Sequence, residues 1–292
     1  MYDVLIIGNG PAGISASLYI KRAGFNVAVI SSGESSLSKA HKIENYYGFE
    51  KGISGEELHQ AGLNQAKNLG VEIIEKQVIG LKYVNSKDLA YELIVANQGN
   101  DEKYQAKIVI LATGANRNKP NIQGVKEFEG RGVSYCAVCD GAFYRGKNVA
   151  VLGSKEYAIG EMEELKPIVN SVSLLTNGEK TIENRNEIEI NEKEIQEFRG
   201  DTKIREVLFK DGTAKQIDGV FIAQGTASSL DFAKKVGAKV DNNVVVVNEE
   251  METTVKNIYA CGDCTGGILQ VSKAVYDGTK AGLSIIKRLR EN

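Results

Sequence analysis

Short runs of consecutive apolar residues recur along the chain, and their length and spacing predict the strands of a parallel sheet. Residues 4–7, 27–30 and 108–111 are such runs, and an unbroken apolar run is typical of a strand that is buried on both faces. Between the first two runs, residues 14–23 have helical spacing and end at Gly24. A strand, a helix and a second strand in this order predict a βαβ unit.

A second unit of the same kind begins in the middle of the chain. Apolar runs at 148–152 and 172–175 predict two further strands, with a helix between them from Ile159 onward. Residues 78–95 alternate between apolar and polar side chains, which indicates antiparallel strands with one buried face. The chain therefore contains two βαβ starts separated by antiparallel β-structure.

The end of the chain returns to the pattern of the first unit, with a strand at 244–247 and a final helix over roughly 268–290. We therefore predict an α/β fold with two Rossmann-like nucleotide-binding domains of the three-layer ββα type, the second inserted in the first. Residues 1–115 and 243–292 are expected to form one discontinuous domain, and residues 116–242 the inserted one.

Composition narrows the class of protein. The 292 residues are 42% hydrophobic and 25% charged, the balance of a globular protein with a sizeable core. Lys and Arg number 36 against 38 Asp and Glu, which argues against a nucleic-acid binder that neutralises phosphates. No stretch approaches the roughly 20 apolar residues of a membrane span, and the first residues lack the features of a signal peptide. We expect a cytoplasmic protein without a nucleic-acid or membrane partner.

The segment after the first predicted strand has the spacing Gly8-x-Gly10-x-x-Gly13. In a dinucleotide-binding turn the first glycine permits the tight turn, the second lets a pyrophosphate approach, and the third lets helix and strand pack closely. Pro11 fits a helix start, whose N–H groups attract phosphate. Glu34, about 20 residues further on, is placed to bind a ribose. A tight turn without a ligand is the disfavoured alternative.

Two cysteines three positions apart, Cys136 and Cys139, stand where a helix is expected to start. Such a pair can open and close a disulfide, and positive charge at a helix start lowers the pKa of a thiol. Asp140 can pass a proton to a departing thiolate. A zinc site shared with Cys261 and Cys264 is a weaker alternative, because the gap in sequence far exceeds that of zinc ribbons. Two buried, inert thiols are the other alternative.

The second pair, Cys261 and Cys264, follows a predicted strand and encloses a Gly-Asp dipeptide. We interpret Cys261 as a buried thiol at the end of that strand. A Gly-Asp dipeptide directly after a strand is typical of a flavin contact. Asp263 is therefore expected to bind the ribityl or phosphate region of a flavin through hydrogen bonds. A second redox-active pair is the less favoured hypothesis.

These motifs together resemble those of the low-molecular-weight thioredoxin reductases, and the resemblance spans nearly the whole chain. Its most specific element is the Cys-Ala-x-Cys-Asp-Gly segment. The matching segments are residues 8–13 (Gly-Asn-Gly-Pro-Ala-Gly), 43–45 (Ile-Glu-Asn), 112–115 (Ala-Thr-Gly-Ala), 134–141 (Ser-Tyr-Cys-Ala-Val-Cys-Asp-Gly), 261–263 (Cys-Gly-Asp) and 270–271 (Gln-Val).

The resemblance implies an FAD cofactor, a disulfide that the flavin reduces, thioredoxin as substrate, and a homodimer. It also implies that Cys139 faces the flavin, that Cys136 attacks thioredoxin, and that Asp140 donates a proton. The residues expected to bind the cofactor, from the motifs and the resemblance together, are Gly8, Gly10, Pro11, Ala12, Gly13, Ser31, Ser32, Glu34, Asn45, Ala112, Thr113, Gly114, Gly262, Asp263, Gln270 and Val271.

One departure from the family concerns its NADPH site. The second glycine turn is reduced to residues 153–158 (Gly-Ser-Lys-Glu-Tyr-Ala), and the family's His-Arg-Arg run is replaced by residues 176–179 (Thr-Asn-Gly-Glu). The loss of two charge-assisted contacts costs about 3–6 kcal/mol, a factor of roughly 10²–10⁴ in affinity. We therefore expect weak or absent NADPH binding. In this respect the chain is most similar to the ferredoxin-dependent flavin thioredoxin reductases, which implies reduced ferredoxin as the electron donor.

Three alternatives to a ferredoxin-dependent reductase stay open. The first is NADPH as the donor for the same reaction. The second is a dithiol oxidase, which passes electrons from a small dithiol to oxygen. The third is a redox sensor that holds FAD without turnover, which the presence of Asp140 beside the cysteine pair disfavours. The two histidines, His41 and His59, receive no role.

Overall fold

The computed structural model describes residues 1–32, 35–84, 90–97, 101–114, 120–180 and 189–291, with Ala90 described by its backbone only. The chain forms two compact units. One consists of Met1–Arg117 together with Ser228–Asn292, and the other of Asn118–Ala227. Because the second unit interrupts the first, the predicted insertion of one domain into another is present in the structure.

The first segment of the discontinuous unit contains the predicted βαβ start. Val4, Leu5 and Ile6 are fully buried in the first strand, as the unbroken apolar run indicated. The elements are β1 (Tyr2–Ile7), α1 (Pro11–Arg22), β2 (Val27–Ser31), α2 (Gly55–Asn68), β3 (Glu72–Glu75), β4 (Val78–Val84), β5 (Ala90–Val95) and β6 (Glu102–Leu111).

The inserted unit combines a parallel sheet with a small antiparallel one. Its elements are β7 (Val133–Ser134), α3 (Ala137–Asp140), β8 (Asn148–Leu152), α4 (Glu156–Leu165), β9 (Ser171–Leu175), β10 (Glu189–Asn191), β11 (Ile195–Gly200), β12 (Ile204–Phe209), β13 (Ala214–Gln216) and β14 (Gly219–Ile222). The parallel sheet has the order β10-β9-β8-β14-β7, and the antiparallel sheet the order β11-β12-β13. Apolar side chains from both sheets, among them Val220, Val207 and Phe209, form one core.

The chain then returns to the first unit through α5 (Ser229–Lys235), β15 (Val240–Asp241), β16 (Val244–Val245), β17 (Ile258–Ala260) and α6 (Val271–Glu291). The large sheet has the order β3-β2-β1-β6-β5-β4, and β17 also pairs with β6. Strand β1 pairs in parallel with β2 and β6, β2 with β3, and β6 with β17. On its other side β6 pairs with β5 in antiparallel orientation, and β5 pairs with β4 in the same way. The carboxyl ends of β1, β6 and β17 therefore meet at one edge.

The return to the first unit begins at Ser228, before the boundary at residue 243 that the sequence suggested. Helix α5 causes the difference, because it packs against β4, β6, β15 and β16 of the first unit. Its seven residues are too few to show a clear helical period in the sequence. The strand expected over 244–247 is also shorter, at Val244–Val245.

Helices α1 and α6 lie against each other on one face of the large sheet. A Cβ atom on Gly278 would stand 2.1 Å from the carbonyl oxygen of Ala12, so only a glycine permits this approach. Ala16, Ala281 and Ile285 are fully buried in the same core. None of the helices in the described ranges combines the length and the apolar character needed to cross a membrane.

Candidate active site

The glycine loop between β1 and α1 is shaped by close backbone contacts. Gly8 has a φ of +116°, and a Cβ atom there would stand 2.3 Å from the carbonyl oxygen of Ala112. A Cβ atom on Gly13 would stand 2.1 Å from the carbonyl oxygen of Gly8. The first and third glycines therefore have the turn and packing roles that the sequence predicted.

Gly10 differs from these two glycines, because a Cβ atom there would meet nothing nearer than the Ser35 hydroxyl at 3.5 Å. No contact within the described protein requires a glycine at this position, so the backbone here is open to the approach of a ligand. Pro11 begins α1, and the first turn of that helix contains no acidic side chain. The loop therefore fits the pyrophosphate of a dinucleotide cofactor.

Further predicted cofactor residues lie where the neighbouring strands end. Ser31 is the last residue of β2, and Ser32 follows it. Ala112, Thr113 and Gly114 follow β6, whose final residues pair with those of β1. Glu34, which the sequence placed at a ribose, lies outside the described residues.

Thr113 is held by Ser229, a residue that the sequence analysis missed. The Thr113 N–H donates to the Ser229 hydroxyl at 3.1 Å, and the two hydroxyl oxygens are 2.8 Å apart. The Ser229 N–H in turn donates to the Thr113 hydroxyl at 2.6 Å. Because the partners are 116 positions apart, no local pattern indicates this pair.

The loop after β17 contains Gly262, and both of its peptide groups are held by α6. Asp277 Oδ2 accepts the Gly262 N–H at 3.1 Å, and Lys273 Nζ donates to the Gly262 carbonyl oxygen at 2.8 Å. Lys273 and Asp277 also form an ion pair at 2.7 Å, with little exposure of either side chain. The pair stands at i and i+4 on α6, a spacing that could have drawn attention to it.

Asp263 follows in the same loop and is half-buried. Burial raises the pKa of its carboxyl above the ordinary value, the positive charge of Lys273 opposes that rise, and the negative charge of Asp277 adds to it. Gly262 and Asp263 are thus where the sequence placed them, directly after a strand that ends beside the glycine loop. A Cβ atom on Gly262 would stand 2.8 Å from Ala12 Cβ at the start of α1.

Cys261 and Cys264 are free thiols, and both are buried. Burial raises the pKa of the Cys261 thiol well above its usual range and that of Cys264 to about 11. The Cys264 thiol donates weakly to the carbonyl oxygens of Leu111 and Cys261, at 3.5 and 3.3 Å. These properties match the interpretation of Cys261 as a buried strand-end thiol and do not favour a second redox pair.

Asn45 and Gln270 are brought together by the fold. Asn45 Nδ2 donates to Gln270 Oε1 at 3.0 Å, and both side chains are exposed. Val271, the last of the predicted cofactor residues, begins α6. Two segments that are far apart in the sequence thus meet in the folded chain.

His59 on α2 holds the glycine loop from the other side. Its Nε2 atom lies 3.1 Å from the carbonyl oxygen of Asn9, between the first two glycines, and its Nδ1 atom lies 3.3 Å from the Ser38 hydroxyl. The side chain is buried. No sequence motif indicates a role for this histidine, and only the fold of α2 against the loop reveals the contact.

In the inserted unit, Cys136 and Cys139 form a disulfide, with Cα atoms 5.3 Å apart. The bond favours the redox pair over the alternatives of a zinc site and of two inert thiols. Cys136 is buried and caps α3, and Cys139 is exposed. Because α3 is a single turn of four residues, the expected helix-end charge is small.

Asp140 has a hydroxyl partner beside the disulfide. The Ser134 hydroxyl donates to Asp140 Oδ2 at 2.6 Å, and the same hydroxyl oxygen accepts the N–H of Cys136 at 3.2 Å. The carboxyl group and the first cysteine are therefore connected through one side chain. Ser134 stood in a matching segment of the sequence without an assigned role.

The second glycine turn keeps only its packing roles. A Cβ atom on Gly153 would stand 2.4 Å from the carbonyl oxygen of Ala223, so this glycine is required by the protein itself. Lys155 occupies the position of the second glycine of the motif, the one that would face a ligand, and Glu156 begins α4. The buried Ser154 hydroxyl donates to the carboxylate of Glu179, which therefore lies against this turn.

Comparison with known proteins places the chain in a family. The model of the pyridine nucleotide-disulphide oxidoreductases matches residues 2–278. The thioredoxin reductase of Aquifex aeolicus is 35% identical over 308 residues, which cover 99% of this chain and 94% of that protein.

Two solved structures are similar over the whole chain. The atypical thioredoxin reductase of Desulfovibrio vulgaris Hildenborough has a TM-score of 0.92 at 33% identity, and the alignment covers 100% of this chain and 99% of that one. A ferredoxin-flavin thioredoxin reductase of Clostridium acetobutylicum has a TM-score of 0.72 at 31% identity, with the same coverage. The chain therefore belongs to the pyridine nucleotide-disulphide oxidoreductase family, as a flavoprotein oxidoreductase of the thioredoxin reductase type that uses FAD and carries its redox disulfide at Cys136 and Cys139.

Proposed function

We propose that this protein reduces the disulfide of thioredoxin with electrons that come from reduced ferredoxin and pass through FAD and the Cys136–Cys139 pair. The observation that carries the choice of donor is the second glycine turn, where the Glu179 carboxylate is bound to Ser154. Thioredoxin as the substrate is supported by the name of the Aquifex relative.

The FAD would be held by the discontinuous unit, at the loop of Gly8, Gly10 and Gly13 and at the strand ends around Thr113 and Gly262. The close backbone contacts of this loop and the acid-free start of α1 support that assignment. When bound, FAD supplies the pair of electrons that reduces the protein disulfide.

Reduction of the Cys136–Cys139 disulfide takes up two electrons and two protons and yields two thiols. In our proposal the Cys136 thiolate then attacks the disulfide of thioredoxin, and Cys139 displaces reduced thioredoxin as the bond between the two cysteines forms again. Because Cys136 is buried in the disulfide form, its sulfur must become accessible for that attack. Asp140 would donate a proton to the departing thiolate.

The second turn disfavours NADPH for electrostatic reasons. The Glu179 and Glu156 carboxylates lie at the turn where a pyrophosphate would bind, and like charges at close range repel. Lys155 also places a side chain where a glycine would let the backbone approach a phosphate. A pyridine nucleotide would therefore have to displace the Ser154–Glu179 hydrogen bond before it could bind in the usual manner.

Ferredoxin is the donor that remains most consistent with these features. The similar structure from Clostridium acetobutylicum is described as a ferredoxin-flavin thioredoxin reductase, which supports the proposal by analogy. Ferredoxin delivers one electron at a time, so two reduced ferredoxins are consumed for each disulfide reduced. Like the donor, the homodimer implied by the family is a proposal, and sedimentation velocity of the holoenzyme tests it.

Anaerobic titration of the holoenzyme with reduced ferredoxin, NADPH and NADH in parallel tests the choice of donor. We expect ferredoxin to bleach the visible absorbance of the flavin and, with thioredoxin present, to support turnover. Rapid bleaching by micromolar NADPH would reject the proposal. Uptake of oxygen with a small dithiol, without any reaction with ferredoxin, would instead identify a dithiol oxidase.

A further inference from the structure

A buried carboxylate lies directly against the redox turn, and neither the family motif nor the proposed electron path accounts for it. Glu161 on α4 is only 1% exposed. Its Oε2 atom accepts the N–H of Ala137, the residue after Cys136, at 2.7 Å. Glutamate is almost never buried to this extent unless it is paired or hydrogen-bonded. Burying this carboxyl group costs desolvation free energy, so its position beside the redox turn calls for an explanation.

Three backbone donors around Cys136 are occupied. The Cys136 N–H donates to Ser134, the Ala137 N–H to Glu161, and the Cys139 N–H to Cys136 Sγ at 3.2 Å. In other Cys-x-x-Cys turns, free N–H groups at the helix start stabilise a thiolate. Here the Glu161 carboxyl group takes one of those donors, directly beside the first cysteine.

We propose that Glu161 is a positioning residue that fixes the Cys-x-x-Cys turn through Ala137 and that its charge makes the reduced pair a stronger reductant. A negative charge in a poorly solvated site disfavours a nearby thiolate. At a pH above the thiol pKa the reduced pair carries a thiolate, and there the charge lowers the reduction potential of the disulfide. The inference rests on the proposed function only in that the pair cycles between disulfide and dithiol.

Two substitutions separate the charge of Glu161 from its hydrogen bond. Glu161→Gln keeps an oxygen acceptor for the Ala137 N–H and removes the charge. Ala137→Pro removes the N–H and keeps the carboxylate, at the first position of α3, where proline is tolerated. The backbone of Cys136 is extended, which suits a residue before proline.

The measurement is the equilibrium of the holoenzyme with mixtures of reduced and oxidised dithiothreitol under anaerobic conditions. Each disulfide reduced forms two protein thiols and one oxidised dithiothreitol, and alkylation with mass spectrometry quantifies free Cys136 and Cys139. At about pH 9.5, where the reduced pair carries a thiolate, we expect Glu161→Gln to favour the reduced pair about tenfold, which corresponds to a rise of about 30 mV. We expect Ala137→Pro to shift the equilibrium in the opposite direction.

Glu163→Gln is the matched control, because Glu163 lies on the same helix with an exposed carboxylate paired to Lys166. Its potential should equal that of the wild type. A folded Glu161→Gln variant with the wild-type potential would overturn the proposal. If that variant does not fold, an unchanged or higher potential in Ala137→Pro overturns it equally. Since neither thioredoxin nor ferredoxin takes part, failure of the proposed donor or substrate leaves this test intact.

Discussion

Asn45 and Gln270 are 225 positions apart in the sequence, and a 3.0 Å hydrogen bond from Asn45 Nδ2 to Gln270 Oε1 joins them. Asn45 lies between β2 and α2, and Gln270 immediately precedes α6. The family resemblance assigned both residues to the flavin separately. Their contact shows that the two segments meet in the folded chain, where these two exposed side chains form one polar surface.

We predict that this surface contributes to FAD affinity as a unit. Asn45→Ala and Gln270→Ala should each weaken FAD binding by about 0.5–1.5 kcal/mol, and the double variant should lose less than the sum. Titration of the apoprotein with FAD, followed by flavin fluorescence, measures all three. Gln60→Ala is the matched control, because the Gln60–Asn64 pair is an exposed hydrogen bond on α2. Fully additive losses would contradict the prediction.

The Lys273–Asp277 pair leads to a second prediction, which concerns the loop after β17. Asp277→Ala leaves the Lys273 ammonium with one partner fewer in a site where it is 17% exposed, and leaves the Gly262 N–H without its acceptor. We expect a loss of about 2–4 kcal/mol in the free energy of unfolding. Lys273→Met leaves the Asp277 carboxylate, which is only 7% exposed, without its counter-charge and should cost a similar amount.

Urea unfolding of the apoprotein and of the FAD-saturated protein measures these losses. If the pair positions Gly262 and Asp263 for the cofactor, the loss should be larger in the FAD-saturated protein, since binding energy is lost as well. Lys103→Met, at an exposed lysine that pairs with Glu92 in the same sheet, is the control. Equal losses with and without FAD would limit the Lys273–Asp277 pair to a purely structural role.

Much of the fold could be predicted because its signals are local. The strand at 4–7, the glycine loop and the helix start at Pro11 are contiguous in sequence, so their order alone predicts a βαβ unit. The disulfide was also indicated by spacing, since Cys136 and Cys139 flank a single turn. Helix α5 was missed because seven residues are too few to show a helical period. Its only local signal is the Ser228–Asp231 capping box at its start.

The supporting residues of the site could not be predicted from the sequence for a different reason. Three of these residues contact groups that are 24 or more positions away along the chain, and most of those groups belong to the backbone. They are Ser229, His59 and Glu161. A backbone N–H can donate to many kinds of side chain and a carbonyl oxygen can accept from many, so such a contact leaves no recognisable pattern in the sequence. Only the packing of helices against loops identifies which side chain supplies the hydrogen bond.

The third prediction concerns the buried thiols of Cys261 and Cys264. Both are shielded by burial, which raises their pKa, so little thiolate forms near neutral pH. We expect iodoacetamide to modify Cys136 and Cys139 after mild reduction, and to modify the other two only in urea. Peptide mass spectrometry distinguishes the four sites. Modification of Cys264 in the native protein would contradict the raised pKa.

The same burial predicts a loss of stability at alkaline pH. The pKa of Cys264 rises from 9.0 to about 11 on folding, so the folded state requires a neutral thiol that the unfolded chain ionises first. Its contribution is complete below about pH 9 and disappears as pH approaches about 11, a change of roughly 2–3 kcal/mol. In Cys264→Ala, urea unfolding between about pH 8 and 11 should show a correspondingly shallower decline. Identical slopes would contradict this assignment, because the buried tyrosines titrate in both proteins.

The last prediction assigns roles to the two redox cysteines. If Cys136 attacks thioredoxin, Cys139→Ser leaves an attacking thiol without the partner that resolves the mixed disulfide, so a covalent complex with thioredoxin should accumulate. Cys136→Ser should form none, although Cys139 is the more exposed residue in the disulfide form. Nonreducing electrophoresis with a thioredoxin carrying a single active-site cysteine, activated as a mixed disulfide with thionitrobenzoate, separates the outcomes. If the covalent complex accumulated with Cys136→Ser alone, the roles would be reversed and Cys139 would carry the attacking sulfur. The exposure of the thiol, rather than the family resemblance, would then decide which cysteine meets the substrate.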